Sequence, residues 1–290
     1  MILKRDVHFV RRSDRVAGLA AGIATVILLG FVVLPILAIF LRVPPSELIS
    51  QLRSPVVRDA LWVSLRSTLI ALSLIIVFGT PAAYLLGTKR FRGAALLTTM
   101  LELPLVLPPA VAGIGLFAAF GRFGLLGGAL RAFGIEIPFS RAAVVMALAF
   151  VAMPFYTRQA VAAFASMDHQ LLGASRTLGA GAGRTFFRVA LPLARQGLLA
   201  GAALAWARAL GEFGATILFA GSLQGKTQTL PLAIYDQFSG ANLDGALAIS
   251  ALLVVISAGL LVGMRVLIRG RQTGDASSWS TSWRSSSVTT

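Results

Sequence analysis

Six runs of aliphatic and small residues, at 16–41, 60–87, 94–120, 142–164, 197–221 and 245–268, alternate with short stretches that carry most of the charges. Each run stays apolar for about 20 positions or more, enough for a helix to cross about 30 Å of hydrocarbon. The pattern predicts an all-α integral membrane protein with about six transmembrane helices. A β-barrel is excluded, because its strands show short alternating runs and not continuous apolar ones. The first run is too long for a cleaved leader, and Arg42, Val43, Pro44 and Pro45 behind it form no small-residue cleavage site.

Composition agrees: 57% of residues are hydrophobic and 13% charged, outside the balance of a soluble globular chain. The net charge of +15 invites a nucleic-acid reading, but its distribution argues against one. With six alternating helices, seventeen of the 26 basic residues fall on one side, including Lys4, Arg12, Lys89, Arg92, Arg158 and Arg188. Eight fall on the other, among them Arg42, Arg66, Arg122, Arg141 and Lys226. The richer side is cytoplasmic by the positive-inside rule, so both termini are expected there and nucleic acid is not a partner. The chain then divides into a cytoplasmic segment at 1–15, a transmembrane domain at 16–268 with a cytoplasmic loop at 165–195, and a Ser/Thr-rich tail at 269–290 expected to be disordered. A short interfacial helix is expected in the proline-bearing external stretch 42–59.

Two spans contain chemistry. The third carries Pro104, Pro108 and Pro109, which remove backbone hydrogen bonds and must bend or interrupt it. Either this is a kink made for packing, or the interrupted segment lines a pathway, since broken backbone is tolerated in a bilayer only against protein or a wet cavity. The fifth carries Gly197, Gly201 and Ala205, a spacing that permits close helix approach. It also carries Arg208 and Glu212, four apart and thus on one face. Ionisable groups inside a membrane must pair or face water. The two either neutralise each other to hold the bundle together, or Arg208 attracts an anion in a path while Glu212 holds it.

The loop between the fourth and fifth spans is longer than a connection needs. A short helix is expected to start near Asp168 and turn at Gly179 to Gly183, with Arg176, Arg184 and Arg188 on its surface, a shape suited to the groove of a cytoplasmic partner. The stretch from Ala220 to Thr227 loosely matches a phosphate-binding loop. It lacks the first glycine, follows a membrane helix instead of a strand, and lies outside the cell by the charge rule, so it is read as a decoy. No acid/base pair or Ser/His/Asp set is found, cysteine is absent, and the only histidines are His8 and His169. The chain is expected to be no enzyme, with no catalytic residues, no metal site and no cofactor. No internal repeat is visible.

The loop carries a resemblance. Ala174, Gly179, Val189, Leu191 and Pro192 fall at the offsets of the cytoplasmic signature of bacterial ABC importer permeases, with Gly173 at the family's Glu and Ser175 at its second Ala. The run from Leu103 to Gly113, the segment from Ala207 to Ile217, and Gly225 to Pro231 are similar to the molybdate branch of that family, beside the sulfate/thiosulfate and tungstate permeases. The resemblance implies the type I, MetI-like architecture in a bacterial or archaeal inner membrane. It implies a translocation path made by two copies of the chain, two cytoplasmic ATP-binding subunits and an extracytoplasmic oxyanion-binding protein. Asp168, Ala174, Ser175, Arg176, Gly179, Arg184, Arg188 and Pro192 would then meet the ATPases. Pro104, Pro108, Pro109, Arg208, Glu212 and Thr216 are the candidate pathway contacts. The alternatives are a sulfate/thiosulfate or tungstate permease of the same kind, or a gradient-driven secondary transporter.

Overall fold

Aliphatic runs this long leave the backbone no hydrogen-bond partner in hydrocarbon except itself, and helix is the outcome. The computed structural model describes residues 3–282, and among them every regular element is helical. The first three are α1 (Leu3–Arg42), α2 (Pro45–Arg53) and α3 (Pro55–Thr88). Pro45 and Pro55 stand in the first turns of α2 and α3, where a missing N–H breaks no helical bond. Ser54 caps α3 by accepting from the Val57 amide at 3.3 Å. The short helix expected in 42–59 is therefore present as α2.

The third run is not one straight span. It forms α4 (Ala94–Val106) and α5 (Pro109–Phe120), bent by 115°. Leu107 and Pro108 are extended (ψ 131° and 136°), because a residue before proline is pushed out of the helical region. Among the described residues five helices are long and apolar enough to cross a membrane, and the bent pair makes six if it counts as one span.

Beyond it come α6 (Gly127–Ala132), α7 (Arg141–Ala165), α8 (His169–Thr177), α9 (Ala182–Thr185), a π-helical turn at Phe186–Ala190, α10 (Leu191–Leu210), α11 (Gly214–Ala220), α12 (Leu230–Ser239) and α13 (Leu243–Ser282). The fifth crossing differs from expectation at both ends. It runs from Ala182 to Leu210, so that 182–195 is its first part and helical, and it breaks at Gly211 instead of continuing to 221. The π turn explains how Pro192 sits inside it. Proline lacks the N–H for the Arg188 carbonyl, and the wider turn, in which the Leu191 amide reaches the Phe186 carbonyl, absorbs the misfit.

α7 is the centre of the bundle, with 56% of its apolar window buried against 28% for α3 and none for α1. It packs on α3 and α10 over most of its length. The small residues predicted to allow close approach do so: a Cβ on Gly197 would lie 2.4 Å from the Ala163 Cβ, and one on Gly201 3.0 Å from the Gln159 Cβ. The stretch expected to be a disordered tail begins inside α13, which continues to Ser282; residues 283–290, like residues 1–2, lie outside those described.

Candidate functional site

The segment after α7 forms a helix–turn–helix. Asp168 caps α8 with its carboxylate, which accepts from the Gln170 amide at 2.8 Å. The chain then reverses at Gly179, whose φ of +82° is a conformation that a side chain strains. The amides of Gly179 and Ala180 close the end of α8 on the Arg176 and Ser175 carbonyls. Ser175 Oγ lies 3.0 Å from Oγ1 of the fully buried Thr185, fastening α8 to α9. Gly173, at the signature's acidic position, has nothing within 4 Å of where a Cβ would stand, so its substitution removes no internal contact.

This element is anchored inward and open outward. Leu172 is buried in the main core, and the Phe186 ring lies 4.9 Å from Tyr84 of α3, which is itself 5.3 Å from Phe164 of α7. Arg176, Arg184 and Arg188 are exposed. Between them stand two apolar side chains that sequence reasoning passed over, Leu178 (87% exposed) and Phe187 (67%). Their signal was available: a large apolar residue beside the turning glycine, and a second phenylalanine next to the half-buried one.

The second cluster lies where two interrupted spans meet. α5 packs on α11, and the approach is close enough that a Cβ on Gly113 would come 2.8 Å from the Ala215 carbonyl, and one on Gly214 2.8 Å from the Pro109 Cβ. Glu212 sits in the break between α10 and α11 and is 1% exposed. One carboxylate oxygen takes the Arg208 guanidinium at 2.6 Å, and the other accepts from the Ala215 amide at 2.8 Å. Arg208 remains 27% exposed, so its charge is held by Glu212 and still open on one side. Thr216, on the first turn of α11, is fully buried and its hydroxyl has no hydrogen-bond partner. Pro108, Pro109 and Ala110 at the start of α5 are exposed, whereas Pro104 is buried within α4. The amides of Ala110 and Val111 belong to the first turn of α5, where no helical carbonyl precedes them.

Thus Arg208, Glu212, Thr216 and Pro109 come together around the α5–α11 contact, while Pro104 stands apart. A second intramembrane carboxylate, Glu102 of α4, faces Arg158 of α7 at 3.7 Å. In the loop that imitates a phosphate site, the amides of Lys226, Thr227 and Gln228 all donate to the Leu223 carbonyl at 2.9–3.0 Å and are not free to meet an anion.

Comparison with known proteins gives four findings. The family described as binding-protein-dependent transport system inner membrane component matches residues 75–271. Molybdenum transport system permease protein ModB of Mycobacterium tuberculosis is 44% identical over 236 residues, 81% of this chain and 88% of that one. Probable transport system permease protein NifC of Clostridium pasteurianum is 35% identical over 84% of this chain and 86% of its own. Among solved structures, a bacterial alginate ABC transporter, in complex with an alginate-pentasaccharide-bound periplasmic protein, superposes with a TM-score of 0.68 over 88% of this chain and 94% of that one. At 16% identity this likeness concerns the fold alone.

Proposed function

We propose, from the premise that this chain belongs to the family of binding-protein-dependent transport system inner membrane components, that two copies of it form the path of an ATP-driven importer for molybdate. The relative named for molybdenum transport supports the cargo, and the meeting of two interrupted spans beside the Arg208–Glu212 pair carries the reading of the path. A dianion moving into a cell with an inside-negative potential climbs about 2.3 kcal/mol per charge per 100 mV, roughly 5 kcal/mol in all. That work calls for a coupled energy source, and two cytoplasmic ATP-binding subunits supply it. An extracytoplasmic binding protein delivers the anion, and both termini of the permease face the cytoplasm of the inner-membrane cell.

In this reading the anion passes in water past the start of α5, where the Ala110 and Val111 amides and the helix dipole favour negative charge. Arg208 lowers the barrier for a dianion while Glu212 limits its field, so cargo is attracted without being trapped. The buried Thr216 hydroxyl adds a donor when the α5–α11 contact opens. The ATPases hold α8 and the exposed Arg176, Arg184 and Arg188. Their closure moves Phe186, and with it the ends of α3 and α7, and the 29-residue rod from Ala182 to Leu210 carries the displacement about 43 Å toward the break.

The test is reconstitution of the chain in vesicles with its ATPase and binding protein. Molybdate uptake should require ATP and all three components, and Arg184→Glu with Arg188→Glu should preserve membrane insertion while separating ATP hydrolysis from uptake. Uptake by the chain alone defeats the proposal, as does coupling that survives both charge reversals. Calorimetric titration of the binding protein with molybdate, tungstate and sulfate then identifies the oxyanion.

A further inference from the structure

A cleft between α3, α4–α5 and α7 has no part in the transport cycle described above. One end, about 360 Å³, is lined by Arg66, Ile70 and Leu74 of α3 and by Arg141, Val145 and Met146 of α7. The other part, about 410 Å³, shares Leu74 and Met146 and continues past Phe78, Phe150 and Met153. The two parts therefore form one trough, cationic at one end and apolar along the rest.

The sequence builds the trough from a simple period. Arg66, Ile70, Leu74, Phe78 and Ala82 recur every fourth residue, which sets them in a stripe about 24 Å long on α3. The charged end is level with the first residue of α7, Arg141, and so lies at the side that the charge distribution assigns to the outside. Trp62, one turn further out on the same face, is 66% exposed, as expected of an aromatic residue at the headgroup level. Arg66 makes no ion pair or hydrogen bond among the described residues, and Arg141 has one, from Nη2 to the Gly225 carbonyl at 3.1 Å. No carboxylate lines either part of the trough. Two guanidinium ions thus stand at the mouth of an apolar channel without a protein counter-ion.

We propose that this trough binds a phospholipid of the outer leaflet, its headgroup phosphate between Arg66 and Arg141 and one acyl chain along Leu74, Phe78 and Met153. Two uncompensated cations select a net-anionic headgroup such as phosphatidylglycerol over a choline headgroup, whose own cation is repelled. Inorganic phosphate satisfies the arginines but leaves the apolar part empty. A second copy of the chain, seated face to face on the same trough by a two-fold axis, brings like arginines together. The proposal takes from the transport reading only the orientation in the membrane. Failure of the unaltered chain to retain the lipid, with molybdate uptake intact, therefore refutes the trough and leaves transport standing.

The experiment is native mass spectrometry of the purified, delipidated full chain, titrated with phosphatidylglycerol and with phosphatidylcholine of the same acyl chains. One phosphatidylglycerol should be retained in preference, and Arg66→Gln and Arg141→Gln should each weaken it about fivefold, the worth of one basic residue near a lipid surface. Leu74→Trp, which fills the trough and keeps both arginines, should weaken it as well. Equal retention by wild type and the double arginine variant overturns the proposal, as does displacement of the lipid by inorganic phosphate. The chain has no cysteine, so Met146→Cys gives a unique thiol. A disulfide joining two copies through it assigns the trough to a chain–chain contact and refutes the lipid.

Discussion

Replacing Glu212 tests whether one buried carboxylate holds the broken fifth span together. Its two oxygens serve different elements: one binds Arg208 of α10 at 2.6 Å, the other the Ala215 amide of α11 at 2.8 Å. Glu212→Ala strands that buried amide, which costs about 1–3 kcal/mol. It also removes the partner of Arg208. Breaking a fully buried pair costs about 3–5 kcal/mol, but Arg208 is 27% exposed and can turn toward water, so the lower end applies. A total of about 4–6 kcal/mol is expected for the alanine variant. Glu212→Gln keeps an acceptor for Ala215 but sets its amide hydrogens against the donors of the guanidinium, so at least the charge-assisted bond is lost, about 2 kcal/mol. Arg208→Gln completes a double-mutant cycle, read by unfolding of the purified chain in detergent, and the coupling between the two sites should be about 1–3 kcal/mol. If Glu212→Ala costs less than about 1 kcal/mol, or the coupling vanishes, the pair does not hold the break and the argument fails.

Two further outcomes follow from packing. Gly197→Val pushes methyl groups into Ala163, whose Cβ is 2.4 Å from the position of the first added carbon, and should lower stability by about 1–3 kcal/mol in the same unfolding assay. Gly183→Ala, with nothing within 4 Å, is the control and should change little. Thr216→Val exchanges an unpartnered buried hydroxyl for a methyl, so stability should hold or rise by about 1 kcal/mol while molybdate uptake by the reconstituted complex falls. Uptake equal to wild type removes Thr216 from the path.

The local features of this chain were readable because their causes are local. Asp168 as a cap, Gly179 as a reversal and the prolines of the third span as an interruption each follow from backbone chemistry within a few residues. The 115° bend was not readable, since it accompanies contacts of Gly113 and Gly214, a hundred positions apart. The start of the fifth crossing was misplaced for a subtler reason. Its first buried positions, Thr185, Ala190 and Ala194, open with a step of five before a step of four. A five-residue step breaks the helical period, and with two arginines and a glycine-rich approach it reads as a loop. It is the imprint of the π turn that Pro192 requires. Arg208 and Glu212 were paired correctly by their spacing, although the helix ends between them and the pair spans a break.

That π turn also bears on how force travels. A helix weakened by a proline would bend at its weak point, and a push on α8 would then be lost before reaching Glu212. Here Phe186 lies inside the weak turn and is packed against Tyr84, while Thr185 beside it is buried and tied to Ser175 of α8. The turn is braced by α3 on one side and by α8 on the other. Further along, Gly197 and Gly201 bring α10 so near to α7 that the two cannot slide separately without a clash. A displacement at the exposed arginines therefore reaches α3, α7 and α10 together, and the first place where the fifth crossing can yield is Gly211, where the helix stops and the buried carboxylate begins.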